Sequence, residues 1–318
     1  MSKLKQFARD WALPLSMSIG AIVYFAFRAL PLPADVKALA TPVISTYIQP
    51  VLIFCMLFLS FLKVSPREMR PQWWHLWVLL LQAGCFLVCS VVAMHCHDYG
   101  TKVLCEGAML AFICPTATAS AVITGKLGGS ISGVVSYLMI CNLMVSLLAP
   151  AILPLVEPHA GIGFIQAFLL ILFKVFPLLI LPLLFAQIVR RYLRGLYRKL
   201  MQYPDLAFHL WIVALALAIT VTVRSIVHSQ VDWRYMVGLA LISGVCCLIQ
   251  FALGKRVGSS YGLQQRITAG QAFGQKNTVF VIWLGLVFLD PVTSVVGGFY
   301  SVWHNIVNSY QLYKVRHK

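Results

Sequence analysis

The sequence predicts an all-α protein that crosses a membrane many times, and three observations support this fold class. Hydrophobic residues make up 60% of the chain and charged residues only 11%, with a mean hydropathy of +0.85. A soluble domain carries about 25% charged residues, so little of this chain is suited to water. A spanning helix needs roughly 20 apolar residues, and the 318 residues divide into runs of that length with short connections. We therefore expect one integral membrane unit over residues 1–318.

Ten apolar runs are long enough to be predicted as spans. They lie at about 11–30, 38–62, 73–95, 103–124, 130–156, 162–189, 206–227, 235–254, 262–289 and 291–313. We expect the first run to be a retained helix, because it lacks a small-residue cleavage site after a short apolar core.

Basic residues give the predicted orientation. When the connections are assigned to alternate sides, most of the 25 Lys and Arg residues fall on one side. The positive-inside rule makes that side cytoplasmic, and it contains both termini and the basic cluster 190–199, which we expect to be a loop. The residues assigned to the opposite side are Arg28, Lys37, Lys102, Arg224 and Arg234. Because this pattern explains the net charge of +16, we expect no nucleic-acid partner.

Enzymatic chemistry and metal binding have few candidate residues here. The chain contains only nine Asp and Glu residues, and it has no HExxH motif and no paired carboxylates at helical spacing. The nine cysteines do not have metal-ligand spacing, which argues against a zinc site or a disulfide framework. We therefore expect no enzyme, no catalytic residue, no metal and no cofactor.

Two of the ten runs contain clustered polar residues. The fourth contains the segment CPTATAS from Cys114 to Ser120, and the ninth contains GQAFGQKNT from Gly270 to Thr278. Proline and glycine among hydroxyl and amide side chains should interrupt a helix. Within a membrane, such a break is tolerated only where it is buried in protein or lines a watery cavity.

The order of these runs predicts a pair of inverted repeats. The interrupted runs are the fourth members of two five-span halves, approximately 11–156 and 162–313. Since five is odd, the second half enters the membrane with the opposite orientation. Matched interrupted helices in inverted halves are typical of transporter binding sites. We therefore predict ten transmembrane helices in two inverted five-helix repeats, with broken helices four and nine.

These two segments resemble the bile acid:sodium symporter superfamily. That family has a Cys-Pro-Gly-Gly-Thr-like element followed by Ser-Asn on its fourth span, and a Glu-x-Gly-x-Gln-Asn-like element on its ninth. The corresponding segments here are ICPTATASAV and QAFGQKNTV. The span count and cytoplasmic termini also agree, so the resemblance covers nearly the whole chain. It implies a panel domain and a core domain, crossing of the fourth and ninth helices near the midplane, and transport by alternating access.

The sequence departs from the family pattern at residues that would bind sodium. Ala121 stands where the family has asparagine, Ala272 where it has glutamate, and Lys276 where it has glutamine. Gln82 matches a family glutamine near the second sodium site. Because sodium needs oxygen ligands, we hypothesise that the Lys276 ammonium takes the place of a cation. Transport would then be sodium-independent or proton-coupled, and the coupling ion stays open between H⁺ and Na⁺.

The predicted substrate and ion site consists of the polar residues at the two breaks and one glutamine from the third span. Its members are Thr116, Thr118, Ser120, Gln271, Gln275, Lys276, Asn277, Thr278 and Gln82. We assign Glu106 and His304 to a proton relay as a hypothesis, because ionisable residues inside spans are expensive. The role of Lys174, which also lies inside a span, stays open. Freed backbone amides at the breaks would suit a carboxylate.

The predicted function is secondary transport of a small organic anion in a bacterial inner membrane, surrounded by membrane lipids. The resemblance implies the substrate class, such as a bile-acid-like steroid, a keto acid or pantoate. One alternative is metalloid efflux of the arsenite type, with Cys114 as a soft ligand, although Ala272 removes a carboxylate from that site. An intramembrane enzyme and a channel are further alternatives. The sequence predicts no oligomeric state.

Overall fold

The computed structural model describes residues 12–31, 33–65, 69–158, 161–203, 205–228 and 232–316, and within these ranges the chain is helical, with no strand. Part of the predicted cytoplasmic charge lies outside the described residues, namely Lys3, Lys5, Arg9, Arg67 and Lys318.

The helices follow one another with short connections. In chain order they are α1 Ala12–Ala29, α2 Ala34–Val43, α3 Gln49–Leu62, α4 Trp73–His95, α5 Tyr99–Ile113, α6 Ser120–Lys126, α7 Ile131–Val156, α8 Phe164–Tyr192, α9 Arg194–Met201, α10 Leu206–His228, α11 Trp233–Ser259, α12 Leu263–Gly274, α13 Thr278–Phe288 and α14 Val295–Arg316. A π-helical turn, Ile44–Ile48, joins α2 directly to α3, and Pro42 and Pro50 flank it.

Several of these helices are suited to a bilayer. Six segments are long and apolar enough to cross it: Asp35–Leu62, Trp73–His95, Ile131–Val156, Phe164–Tyr192, Leu206–His228 and Trp233–Ser259. Large apolar side chains stand exposed along them, for example Val88 at 64% and Phe173 at 72%. Such an extended apolar surface is unfavourable in water and favourable against lipid chains. The chain is therefore a helical integral membrane protein.

The helices coincide with the predicted apolar runs, and the predicted interruptions in the fourth and ninth runs are confirmed. The fourth run is divided between α5 and α6, and the ninth between α12 and α13. Crossing of the bilayer by α1, by the two interrupted pairs and by α14 stays a prediction, as does the inverted repeat.

The expectation of a loop over residues 190–199 is wrong. Helix α8 continues to Tyr192, and α9 follows as a short amphipathic helix. Tyr197 and Leu200 pack against the apolar core, whereas Arg194 and Arg198 are exposed. The apolar residues recur three apart, so one face of a helix can bury both while the cations stay on the other face.

The helices pack in two groups. Helices α1, α3, α8 and α10 form one group, in which α10 contacts α1 and α3, and α3 contacts α8. Helices α4, α5, α11, α12 and α14 form the other, and α7 packs against both α4 and α8. The most extensive pair is α11 with α12, where Gly254 lies against the backbone of Ala269.

Polar contacts join the connections at each end of the molecule. At one end, Lys102 Nζ lies 2.6 Å from Glu157 Oε1, and the Tyr99 hydroxyl donates to Asp290 over 2.6 Å. At the other end, the Ser130 amide donates to Thr268 Oγ1 over 2.8 Å. In each contact, both residues lie in or near connections that the charge pattern assigns to the same side of the membrane. The two helix breaks lie between these two ends of the molecule.

Candidate functional site

The first break follows from the proline after α5. Cys114 ends this helix with φ −49° and ψ 124°, which is an extended conformation. The Pro115 ring disfavours helical geometry in the preceding residue and supplies no N–H for a helical hydrogen bond. The helix resumes only at Ser120, where α6 begins. Six residues of non-helical backbone, 114–119, are therefore placed inside a predicted span.

The second break follows Gly274, the last residue of α12. Gln275 is extended, with φ −94° and ψ 108°. Asn277 restarts the helix as the N-cap of α13, and its side-chain oxygen accepts from the Phe280 amide over 3.3 Å. Asparagine is among the preferred residues for this position. The Asn277 side chain therefore acts first as a helix cap.

The two breaks pair with each other. The Ala117 amide donates to the Gln275 carbonyl over 2.9 Å, and the Asn277 amide donates to the Pro115 carbonyl over 2.8 Å. Thr116 and Lys276 stand opposite one another in this short antiparallel bridge. Backbone groups inside a bilayer need internal partners, and each break supplies partners for the other.

Side chains reinforce the pairing. Thr116 Oγ1 donates to the Ala272 carbonyl over 2.6 Å, and the Cys114 thiol donates to the Asn277 carbonyl over 3.2 Å. The Tyr300 hydroxyl donates to the Gly274 carbonyl over 2.9 Å. The bonds to Ala272 and Gly274 occupy carbonyls at the end of α12, where the helix leaves them without a helical partner, and the Asn277 carbonyl also accepts the Val281 amide of α13.

Lys276 is the buried cation of the site. Its side chain is 1% exposed, and its Nζ has no hydrogen-bond partner among the described residues. The ammonium stands 4.9 Å from the centroid of the Phe273 ring. The thiols of Cys85, Cys114, Cys141 and Cys247 lie near it, and a neutral thiol supplies no compensating charge. A buried ammonium without a carboxylate is costly and is suited to receive an anion.

Gln82 reaches the first break from α4. Its Nε2 donates to the Cys114 carbonyl over 3.1 Å, and its Oε1 accepts from the Tyr137 hydroxyl over 2.8 Å. The resemblance matches this residue to a family glutamine near the second sodium site, but both ends of this amide are already bonded to protein. Gln82 therefore holds the first break in place.

The remaining predicted site residues differ in whether their polar atoms already have hydrogen-bond partners. The Ser120 hydroxyl donates to the Ala117 carbonyl over 2.6 Å, and Thr278 Oγ1 accepts from Ser301 over 2.5 Å. Thr118 is half-buried beside them. Gln275 Oε1 is buried and has no hydrogen-bond partner among the described residues. Gln275 Oε1 and Lys276 Nζ are thus the buried polar atoms at the breaks that have no partner within the described part of the chain.

Gln271 is not brought to the breaks. Its Nε2 donates to Asn308 Oδ1 over 3.0 Å and lies 3.3 Å from Gln311 Oε1, so it belongs to an amide cluster with α14. Gln271 lies almost one turn before the end of α12, on a face that packs toward α14, and its side chain therefore points away from the break.

The two hypothetical relay residues lie in different places. Glu106 is 1% exposed in α5, with Oε1 3.8 Å from Lys102 Nζ, and both of its oxygens lack hydrogen bonds among the described residues. It belongs to the end of the molecule that contains Glu157, not to the breaks. His304 is buried in α14, with its ring centroid 5.7 Å from that of Tyr300. Tyr300 contacts the second break, so only His304 lies beside the site.

Three residues that support the breaks were missed from the sequence. Tyr137 and Tyr300 use their hydroxyls as described, and Gln250 Nε2 donates to the Ala111 carbonyl over 3.2 Å. The Gln250 amide, isolated in an apolar run, is a signal that could have identified it. The two tyrosines give no comparable signal, because aromatic residues are common in apolar runs.

Comparisons with known proteins give no match, either to a family model or to a curated protein. Within the described residues, no group of three or more His, Cys, Asp and Glu side chains is arranged to hold a metal ion. The site as built is a buried ammonium with one free amide oxygen, held by paired backbone at two helix breaks.

Proposed function

We propose that this protein is a secondary transporter of a small organic anion, of the bile acid:sodium symporter type, in a bacterial inner membrane. In this proposal ten spans form inverted repeats over about 11–156 and 162–313, and both termini are cytoplasmic. The observation that carries the proposal is the pairing of two interrupted helices around the unpartnered ammonium of Lys276. Interrupted helices that meet inside a membrane are typical of binding sites in secondary transporters.

The charge of the site supports an anionic substrate. Lys276 forms no salt bridge among the described residues, and a carboxylate would give its ammonium the charge-assisted hydrogen bond that the protein does not supply. Thr118 and Gln275 could then orient the rest of a small substrate. Binding at this position would neutralise the most costly group in the interior.

The same ammonium supports transport without bound sodium. It occupies a buried position beside the breaks, and Ala272 and Ala121 supply no side-chain oxygen there. A bound sodium ion next to an ammonium would be repelled, since both are cations at short distance. We therefore propose sodium-independent or proton-coupled transport, with Lys276 in the place of the ion.

The two packing groups support alternating access. Both breaks follow helices of one group, α5 and α12, whereas α13, which follows the second break, contacts α3 and α10 of the other group. Helix α7 also connects the two groups, through α4 and α8. Movement of one group against the other would open the breaks to each side of the membrane in turn. Metalloid efflux is not favoured, because the Cys114 thiol is already bonded to the Asn277 carbonyl.

Uptake into liposomes tests the proposal. Purified protein would be reconstituted and given a panel of radiolabelled organic anions, with sodium or potassium outside and with or without a pH gradient. We expect uptake of at least one anion without sodium, and its loss in Lys276→Gln. The matched control is Lys174→Gln, because Lys174 is a second ammonium in a spanning helix, 5.6 Å from the Phe288 ring centroid and away from the breaks. Saturable dependence on sodium would contradict the replacement of the ion by Lys276.

A further inference from the structure

A cavity lies away from the paired breaks, between α1, α2 and α10. Its volume is about 330 Å³, which is within the usual range of ligand pockets. The walls are mainly apolar and include Phe27, Ile44 and Leu217. None of the residues that line it belongs to the site described above, so it needs an explanation of its own.

Four basic side chains line this cavity: Arg28, Lys37, Arg224 and His228. They come from the end of α1, the start of α2 and the end of α10, so the fold brings them to one end of the cavity. Asp35, the acidic residue nearest along the chain to Lys37, is not among the residues that line it. The cavity therefore combines a cationic end with apolar walls.

Two of these side chains, Lys37 and Arg224, keep N–H donors that are not used within the described residues. Lys37 Nζ donates to the Arg28 carbonyl over 2.8 Å, and Arg224 donates to Thr41 Oγ1. An ammonium has three N–H donors and a guanidinium has five, so each keeps donors for a ligand. Among the described residues, neither side chain forms a salt bridge.

Tyr24 gives an independent indication of a ligand. Its side chain is only 5% exposed and lines the cavity, and its hydroxyl has no hydrogen-bond partner among the described residues. The Tyr24 ring stands edge-on to His228, with 6.5 Å between ring centroids. A buried hydroxyl without a partner is destabilising, and an acidic oxygen bound at the cations would accept its hydrogen bond.

We propose that this cavity binds an anionic amphiphile. Its acid group would accept hydrogen bonds from Lys37, Arg224 and Tyr24, and its hydrocarbon part would lie along the apolar walls. A phosphate headgroup of a membrane lipid and the carboxylate of a free fatty-acid-like molecule share this chemistry. The site does not depend on the proposed transport activity, because binding is measured directly.

Native mass spectrometry of the purified protein tests this site. Phosphatidylglycerol and phosphatidylcholine with the same acyl chains would be added in equal amounts. We expect preferential retention of phosphatidylglycerol, lowered roughly ten-fold in the double variant Lys37→Gln with Arg224→Gln. The matched control is Arg234→Gln, which removes a cation predicted on the same side of the membrane but absent from the cavity lining. Dodecanoate, added as a competitor, distinguishes the two sources of the acid group.

Each outcome decides the proposal. Displacement of phosphatidylglycerol by dodecanoate supports a site open to free carboxylates, and retention despite dodecanoate supports a lipid site. Equal retention of the two lipids, or equal weakening by Arg234→Gln, overturns the proposal. If the double variant does not elute as a folded species, Ala38→Phe takes its place, since it fills the cavity without removing charge. Unchanged lipid retention in Ala38→Phe would then overturn it.

Discussion

At the scale of single residues, Lys276 differs from the polar residues that hold the two breaks together. Thr116, Gln82 and Tyr300 each donate a hydrogen bond to a backbone carbonyl at the breaks, and these bonds stabilise the fold. The ammonium of Lys276 gives none within the described residues, and it stands among thiols and an aromatic ring. A group that is costly to bury and makes no bond is kept for a reason other than stability.

This contrast predicts that Lys276→Met stabilises the protein. Methionine has similar length and no charge, so the substitution removes an unpaired buried cation at little cost in packing. We expect the free energy of unfolding to rise by about 1–4 kcal/mol, the range seen when buried ions are replaced by apolar residues. The measurement is thermal unfolding in detergent, with Lys174→Met as the control. A lower melting temperature for Lys276→Met would instead mean that the ammonium holds the break together.

Residue types alone could predict where the helices are interrupted, but not which side chains meet there or how their hydrogen bonds are shared. Lys276 and Thr116 were identified because polar residues in apolar runs are conspicuous. The sequence did not indicate that Gln82 is fully bonded or that Gln271 points to α14, because both depend on which helix lies next to each side chain. Tyr137 was missed for the same reason. In the sequence it cannot be distinguished from an aromatic residue that only packs, because the hydrogen bond of its hydroxyl to Gln82 depends on the neighbouring helix.

At the scale of the helices, small residues decide how closely elements approach. Helix α11 has glycines at 254 and 258, one turn apart, and both face the backbone of α12. A Cβ at Gly254 would stand 2.5 Å from the Ala269 carbonyl oxygen. Since a backbone atom cannot rotate away as a side chain can, the helices would have to separate. This spacing is the small-xxx-small pattern common at membrane helix interfaces.

We predict that Gly254→Ala lowers the free energy of unfolding by about 1–3 kcal/mol, the usual cost of overpacking. Helix α12 leads directly into the second break, so separation of α11 and α12 should also weaken uptake. The control is Gly84→Ala in α4, where an added Cβ would meet no atom within 4 Å. Thermal unfolding of the two variants provides the comparison. Equal melting temperatures would mean that α12 can shift without cost.

At the scale of the whole molecule, the order of the helices and the positions of the breaks could be predicted from the sequence. Hydrophobicity and charge act locally, and each run can be evaluated without knowledge of the others. The division into two packing groups and the cavity beside α1 could not be predicted this way. Both depend on contacts between helices far apart in the chain, such as α1 with α10, and apolar runs of similar composition do not specify their partners.

The predicted topology can be checked with reporter fusions. Alkaline phosphatase is active only outside the cytoplasm, so we expect activity when it is fused after His97 and none when it is fused after Gly128. These positions lie on either side of the interrupted pair α5–α6, and helix length alone does not predict its crossing, because each part is too short to span. A fluorescent-protein fusion at the C-terminus should report the cytoplasmic side. Equal phosphatase activity at the two positions would mean that the interrupted pair does not cross.

The bonds between the two breaks also affect how the chain is synthesised. Cys114 and Asn277, which meet in the folded protein, are 163 residues apart. At about 5–20 residues per second, the partner of the first break leaves the ribosome roughly 8 to 30 seconds after it. During that interval the exposed amides and carbonyls of the nascent break need shielding from lipid by water or by the insertion machinery. Insertion of this protein is therefore completed only when the segment after Gly274 arrives.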